Sequence, residues 1–451
     1  MDNNREHWGS KIGFILAAAG SAIGLGNIWR FPYLVGENGG AAFIILYLLC
    51  VVLVGLPLVI AEILIGRTAQ KNPVGSFREL SNHNPFWVGV GVLGVLTGLM
   101  ILSYYNVVAG WSLGYVVESA RGSFQHIGDP EKAGILFDQL SASWTWSLFF
   151  SACFMMFTIG IIYFGVIQGI EKASKIMLPI LFLLIILLVI RGVTLEGARA
   201  GICYLTKPDF SAINGKTALL AFGQVFFSLS LGMGALLTYG SYMTKNEKIV
   251  SSAVSVVVLN TSVSLLAGFM IFPPLLALGM KPAQGPSLIF NILPVMFNSI
   301  PGGYFFRIIF FLLLSMAALT STISLLEVIT AFVVDEFRLS RKKASVILGG
   351  IVFLLGVPSA LSAGRLENFT ILKLTFFQLV DFISANIFLP LGGIFIALFV
   401  GWFWGMKKAI PNLLEGSVAL PGFIVTIWSI LIRFVAPVLI LLIFLNSLGI
   451  I

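Results

Sequence analysis

The sequence predicts an all-α polytopic membrane protein, and three observations carry that reading. Of 451 residues, 58% are hydrophobic and only 10% are charged, against about a quarter charged in soluble domains. The mean hydropathy is +1.01. The apolar residues also come in long runs such as 41–60, about the length that crosses a bilayer core as a helix. No stretch is polar enough to be a soluble domain, so 1–451 reads as a single transmembrane domain.

Eleven spans follow in order: about 11–36, 41–67, 87–120, 145–163, 168–191, 217–243, 249–279, 303–336, 342–361, 372–404 and 420–449. The net charge of +8 does not form a stripe for nucleic acid but lies in the short connections. Alternate connections hold Arg5, Lys11, Arg67, Lys71, Arg78, Lys172, Lys175, Lys245, Lys248, Arg338, Arg341, Lys342, Lys343, Lys407 and Lys408. Cytoplasmic loops gather such residues. The amino terminus is therefore expected in the cytoplasm, the carboxyl terminus outside, and the protein in the cell membrane. Three cysteines (Cys50, Cys153, Cys203) with no paired spacing exclude a disulfide framework or zinc site. The first apolar segment, broken by Gly20, Gly24, Gly26 and Asn27, does not read as a cleavable leader. Two outer connections are long, 121–143 and 281–302, and the second reads either as a linker or as a cap over an outer vestibule.

The most informative feature is a pair of interrupted helices. Gly20 to Asn27 breaks the first span, and Ser228-Leu229-Ser230-Leu231-Gly232-Met233-Gly234 breaks the sixth. Glycine costs about 1 kcal/mol relative to alanine in a helix interior, so such clusters favour unwinding. Unwound backbone at membrane depth is tolerated where it lines a cavity or is buried in protein. A single cluster is equally well read as close helix packing through small residues. Two clusters, five spans apart, suggest two five-helix halves (about 11–191 and 217–404, with an extra helix at 420–449), each opening on a broken helix. Paired breaks of this kind mark binding sites near the midplane of transporters.

Several motifs resemble the neurotransmitter:sodium symporters. They are Arg5-Glu6-His7-Trp8, Gly20 to Asn27, Trp29-Arg30-Phe31-Pro32, Glu37-Asn38-Gly39-Gly40, Gly55-Leu56-Pro57, Glu62, Gly66-Arg67, Gly223 to Ser230, Leu319-Thr320-Ser321 and Leu339-Ser340-Arg341-Lys342. The resemblance spans the first ten helices and implies the LeuT-type fold, a 5+5 inverted repeat with discontinuous helices one and six. Eleven spans and short termini look like the bacterial amino-acid branch, especially its multi-hydrophobic amino-acid transporters. The function implied is sodium-driven symport of a hydrophobic L-amino acid by alternating access.

The same resemblance implies two sodium sites. One would use carbonyls of Gly20, Ile23 and Ala317 with the hydroxyls of Thr320 and Ser321. The other would use the Ala22 carbonyl, Asn27, Ser228, Asn260 and the substrate carboxylate. Outside this context, Thr320 and Ser321 read as hydroxyls bonded back to their own helix. Gly24 stands where amine-transporting relatives carry an Asp, so the substrate must bring its own carboxylate. That group would meet N–H groups around Leu25–Gly26 and the Tyr105 hydroxyl, while the α-amino group would meet Ala22, Phe227, Ser228 and Ser230. The side-chain pocket would be lined by Ile101, Tyr105, Phe227, Met233, Ser324 and Leu325. Methionine is adaptable, so aliphatic and aromatic substrates, tryptophan included, are expected.

Tyr47, Gln224, Ser228, Asn260 and Ser264 resemble the family's chloride set. Ser264 stands where many bacterial relatives carry an acid, so either chloride binds or the intramembrane Glu62 supplies the charge. Arg30 with Asp381 would form an outer gate, lidded by Phe227 and Tyr105. Arg5 with Asp335, near Trp8, Ser241 and Tyr242, would form an inner one. Gly169 and Pro179 match a pattern that permits unwinding of the inner half of the fifth span; a static proline kink is the plainer reading. An enzyme is excluded, since the only histidines (His7, His83, His126) are assigned to loops and no HExxH occurs. A proton-driven relative and a non-transporting amino-acid sensor remain as alternatives. The sequence does not specify the oligomeric state, and Arg433 in the last span has no role in the pattern.

Overall fold

A computed structural model describes residues 5–280, 288–416 and 421–450. Nine helices among them are long and apolar enough to cross a membrane: Ala41–Ala69, Pro85–Arg121, Trp144–Tyr163, Val166–Val193, Ile249–Ala277, Gly303–Phe337, Arg341–Leu361, Phe376–Phe403 and Gly422–Ser447. A pair bent by 54°, Lys11–Ala22 and Gly26–Glu37, makes a tenth. The sixth crossing is the interrupted one, Gly215–Ser228 followed by Ala235–Gly240. Ten of the eleven expected spans are thus present among the described residues, in order and with ends shifted by a few residues, and the sixth is seen as two shorter helices.

Local chemistry explains the boundaries. Ser10 caps the first span by accepting the Gly13 N–H at 3.0 Å. Asn84 and Pro85 open the third span, and Gly122 closes it with φ +82°, the usual donor-then-glycine asymmetry of helix ends. The tenth span begins at Phe376 rather than 372. Leu372 and Lys373 take positive φ (54° and 64°) at the tip of a two-residue hairpin that pairs Thr370 with Thr375. Thr375 then forms a capping box with Gln378. A hairpin turn of this kind needs left-handed backbone, and neither leucine nor lysine advertises it.

The third and eighth spans pack against each other along their lengths and form the centre of the bundle. Of the nine continuous helices the eighth is the most enclosed, whereas the fifth and eleventh leave much of their apolar surface facing outward. The second long connection contains a buried apolar helix, Leu288–Asn298. Its Phe290 meets Trp29, Trp111 and Tyr115 edge-on, so the segment caps the end of the bundle opposite the amino terminus. Lys281, Pro282, Gly285 and Pro286 of that connection lie outside the described residues.

Candidate functional site

The two broken helices meet at their breaks. The first span stops being helical at Ile23, which is extended (ψ 108°). In the sixth, Gly232 and Gly234 adopt φ +83° and +75°, and Ser230, a non-glycine, adopts +53°. Left-handed backbone there is what the glycines permit. Hydrogen bonds stitch the breaks together: the Ser230 hydroxyl donates to the Ser21 carbonyl at 3.0 Å, and the Gln224 amide donates to the Gly26 carbonyl at 2.8 Å. The second span joins them, its Glu62 accepting the Gly232 N–H at 2.7 Å.

Between the breaks lies a small cavity of about 30 Å³. The first span contributes Ser21, Ala22, Gly24 and Gly26, and the sixth Phe227, Ser230 and Met233. The third adds Ile101 and Tyr105, the eighth Ser321, Ser324 and Leu325. Of the substrate residues expected from sequence, only Leu25 and Ser228 lie off this cavity. The Leu25 N–H donates to the Tyr105 hydroxyl at 3.1 Å, and the Ser228 hydroxyl turns to Tyr47 at 3.1 Å. Ser21 was not expected; its carbonyl receives the Ser230 hydroxyl while its own hydroxyl is buried without a partner. Its position between Gly20 and Ala22 was the available signal. Gly24 is required by close approach, for a Cβ there would sit 2.5 Å from Ser321 Oγ and 2.8 Å from the Tyr105 hydroxyl.

Two oxygen clusters flank the cavity. In one, Thr320 Oγ1 lies 3.2 Å from the Ile23 carbonyl and 2.9 Å from that of Ala317. Ser321 Oγ lies 3.4 Å from the Ile23 carbonyl and 3.5 Å from Ala317. Gly20 packs on Thr320, the place for its Cβ being 3.3 Å from Thr320 Cβ. In the other, one atom of the Asn260 amide lies 2.8 Å from the Ser228 carbonyl, 3.2 Å from the Ala22 carbonyl and 2.8 Å from Asn27 Nδ2. As an oxygen it accepts from Asn27 and faces two carbonyl oxygens, a set that suits a hard cation; with the amide turned, its nitrogen donates to both carbonyls instead. Asn27 also donates to Ser264 at 2.8 Å, which links the amides to the expected anion set.

Glu62 stands apart from that set. It is fully buried, one carboxylate oxygen is held by Gly232 and the other has no partner. No hydrogen bond joins it to Tyr47, Gln224 or Ser264, and among the described residues no cation lies within ion-pair distance.

The two faces of the bundle differ. At the amino-terminal face, Arg5 pairs with Asp335 at 2.6 Å, donates to Ser241 at 2.7 Å and covers the Tyr242 ring. Trp8 donates its indole N–H to the Tyr239 carbonyl at 2.9 Å. Beside it is a network that the sequence reading missed. Arg341 bridges buried Glu327 at 2.7 Å and Glu6 at 3.3 Å, and the Tyr242 hydroxyl donates to Glu327. Glu327 sits inside the apolar eighth span, and an acid within such a helix was the signal that could have found it. At the opposite face, Arg30 and Asp381 line one cavity of about 310 Å³ but do not pair. Arg30 lies over the Phe227 ring at 5.0 Å. Phe227 and Tyr105 line both cavities and separate them. Of the expected gate residues, Arg5 and Asp335 are paired with Tyr242 beside them, while Arg30 and Asp381 line one cavity without pairing.

Gly169 lies in a wide turn, Val166–Glu171, at the start of the fifth span, and Pro179 lies inside the helix that follows. The whole segment is wound. Arg433 has a partner after all: its guanidinium stacks on Trp402 at 4.5 Å, while the Trp402 indole N–H donates to the Arg433 carbonyl at 3.0 Å.

Two discontinuous helices that present backbone and hydroxyl oxygens around a central cavity are the architecture of an ion-coupled membrane transporter. Comparison with known proteins agrees. The model of the sodium:neurotransmitter symporter family matches residues 5–127 and 137–450. A sodium-dependent transporter of Bacillus subtilis, YhdH, is 40% identical over 443 residues, 98% of each chain. A sodium-dependent transporter of Haemophilus influenzae is 37% identical over 457 residues, 99% of each chain. The crystal structure of MhsT in complex with L-phenylalanine superposes with a TM-score of 0.89 at 47% identity, covering 98% of this chain and 100% of that one. The chain belongs to the sodium:neurotransmitter symporter family and has its LeuT-type fold. It is a multi-pass, sodium-coupled transporter and not an enzyme.

Proposed function

We propose that the protein imports hydrophobic L-amino acids, aliphatic and aromatic and including tryptophan, with two sodium ions per site pair by alternating access. The observation that carries this reading is the acid-free break at Gly24. The cavity beside it offers backbone, hydroxyls and the apolar Ile101, Met233 and Leu325, but no carboxylate for an amine. The phenylalanine bound by the similar MhsT structure supports an amino acid with a large apolar side chain. In this reading the substrate carboxylate completes the Ala22–Asn27–Ser228–Asn260 sodium site, and Gly20, Ile23, Ala317, Thr320 and Ser321 hold the second ion. Tryptophan is accommodated in this reading by movement of Phe227 and of the flexible Met233.

The amino-terminal face is assigned to the cytoplasm by its lysines and arginines. The closed Arg5–Asp335 gate is then the inner one, and Arg30 and Asp381 meet when the outer path shuts. The first, second, sixth and seventh spans rock against the rest as the two halves exchange roles. The test is uptake of radiolabelled tryptophan and leucine into proteoliposomes at fixed chloride, with and without an inward sodium gradient. Sodium-dependent accumulation of both is expected. Uptake driven by a pH gradient in sodium-free buffer would reject the sodium sites, and sodium-dependent binding without uptake would make the protein a sensor.

Two further outcomes follow from the same reading. Ser264 brings no acid to the Asn27–Asn260 cluster, so in this reading the negative charge that offsets sodium comes from Glu62, which holds the sixth-span break at Gly232, and replacing chloride by gluconate leaves wild-type uptake unchanged. Glu62→Gln makes uptake chloride-dependent or abolishes it; chloride-independent uptake by that variant would remove Glu62 from this role. Pro179→Ala, by restoring the missing backbone bond, slows release of sodium to the cytoplasmic side. Stopped-flow release kinetics equal to wild type would leave Pro179 a static kink.

A further inference from the structure

We propose that Arg67 is a second inner latch, which holds the rocking helices to the static part of the bundle while the cytoplasmic path is closed. This rests on the rocking motion described above. Arg67 lies in the last turn of the second span and is 1% exposed. Among the described residues it meets no carboxylate within ion-pair distance. Its guanidinium instead donates to three backbone carbonyls, Glu247 at 2.5 Å, Glu415 at 3.1 Å, and Asn412. Glu247 belongs to the loop after the sixth span. Asn412 and Glu415 belong to the end of a short helix, Met406–Leu414, that links the tenth span to the eleventh.

The chemistry suits a latch. The last carbonyls of a helix have no intrahelical donors and carry the negative end of its dipole. A planar, five-donor guanidinium can serve several such oxygens at once, whereas an ammonium cannot match their spread. The backbones themselves touch beside it. Gly416 has φ +74°, and a Cβ there would lie 2.5 Å from the carbonyl carbon and oxygen of Asn246. The second span and the loop are already one body, because Gln70 ends the helix with φ 54° and donates to the Met243 carbonyl at 2.7 Å. The linker is the piece outside that body. Opening the inner path by moving the second and sixth spans must therefore draw Arg67 away from Asn412 and Glu415. Arg67 itself is 1% exposed, against 9% and 27% for the side chains of the Arg5–Asp335 pair.

The test follows hydrogen exchange of the amino-terminal strap, residues 5–13, in sodium and in potassium buffer, together with sodium activation of amino-acid uptake. The strap is a remote reporter: its Trp8 N–H is held by the Tyr242 carbonyl at 3.0 Å and its Gly9 N–H by Glu171 at 2.7 Å. In the wild type, sodium should slow strap exchange. Arg67→Lys, which keeps the charge but not the fork, should raise strap exchange in sodium towards the potassium level. It should also weaken apparent sodium affinity about tenfold, equivalent to about 1.4 kcal/mol. Gly416→Ala, which leaves Arg67 intact but separates the backbones, should do the same and keeps the test open if Arg67→Lys does not fold. Faster exchange confined to 243–249 and 406–416, with the strap and sodium dependence unchanged, would overturn the latch and leave the rocking reading standing. A wild-type strap indifferent to sodium would overturn the rocking reading itself, and the latch with it.

Discussion

Gly24→Asp abolishes amino-acid uptake. The first side-chain atom alone collides, since a Cβ at this position would lie 2.5 Å from Ser321 Oγ and 2.8 Å from the Tyr105 hydroxyl. The carboxylate beyond it would occupy the break where the substrate's own carboxylate is proposed to sit, and like charges at close range in a poorly solvated site repel strongly. Both effects act on substrate and on the sodium site proposed at Ser321 together, so a drop of at least about a hundredfold in uptake is expected, equivalent to about 2.7 kcal/mol or more. Gly24→Ala separates the two contributions: it keeps the collision without the charge and should be impaired but less so. The measurement is initial-rate uptake of labelled tryptophan at saturating sodium, with size-exclusion behaviour as the control for folding. Half of wild-type uptake in the Asp variant would show that the carboxylate of the substrate binds elsewhere.

The second large effect is the paired change Thr320→Ala with Ser321→Ala. Both hydroxyls converge on the carbonyls of Ile23 and Ala317, at distances between 2.9 and 3.5 Å. Should each hydroxyl contribute to a bound cation what a hydrogen bond to a charged group contributes, about 1.5–3 kcal/mol, the pair together accounts for at least two orders of magnitude in sodium affinity. Sodium-dependent uptake is expected to vanish at physiological sodium while the helix stays folded, since Thr and Ser are not needed there for helix propensity. Sodium titration of the double variant by scintillation proximity or calorimetry reads this directly. A sodium affinity within threefold of wild type would place the ion away from Thr320 and Ser321.

Much of this was legible in the chain because membrane insertion leaves a simple pattern. The spans stand where the apolar runs are, since in lipid every backbone group must be satisfied within a helix. The two breaks were legible for the complementary reason: glycine clusters such as Gly232-Met233-Gly234 destabilise a helix enough to be seen against so regular a background. The start of the tenth span was not legible. The turn at Leu372 and Lys373 is dictated by pairing of Thr370 with Thr375 and by the Thr375 capping box, and not by any residue that prefers positive φ. The Glu327–Arg341–Glu6 network was missed because its members come from three separate stretches of chain. Arg67 was visible as a topology charge, but its three carbonyl partners belong to elements 180 and 345 to 348 positions away.

By itself, then, the sequence determined the order and approximate bounds of the spans, the breaks in the first and sixth, and the residue types available for oxygen coordination. Each depends on local hydropathy and local backbone preference, which neighbouring residues dictate. Only the tertiary structure decided which oxygens face one another, that Arg5 and Asp335 are joined while Arg30 and Asp381 stand apart, and that Glu62 answers to Gly232 rather than to Tyr47. Those are distances between segments far apart in the chain. They are set by how eleven helices of similar composition pack, and hydropathy is nearly blind to that choice.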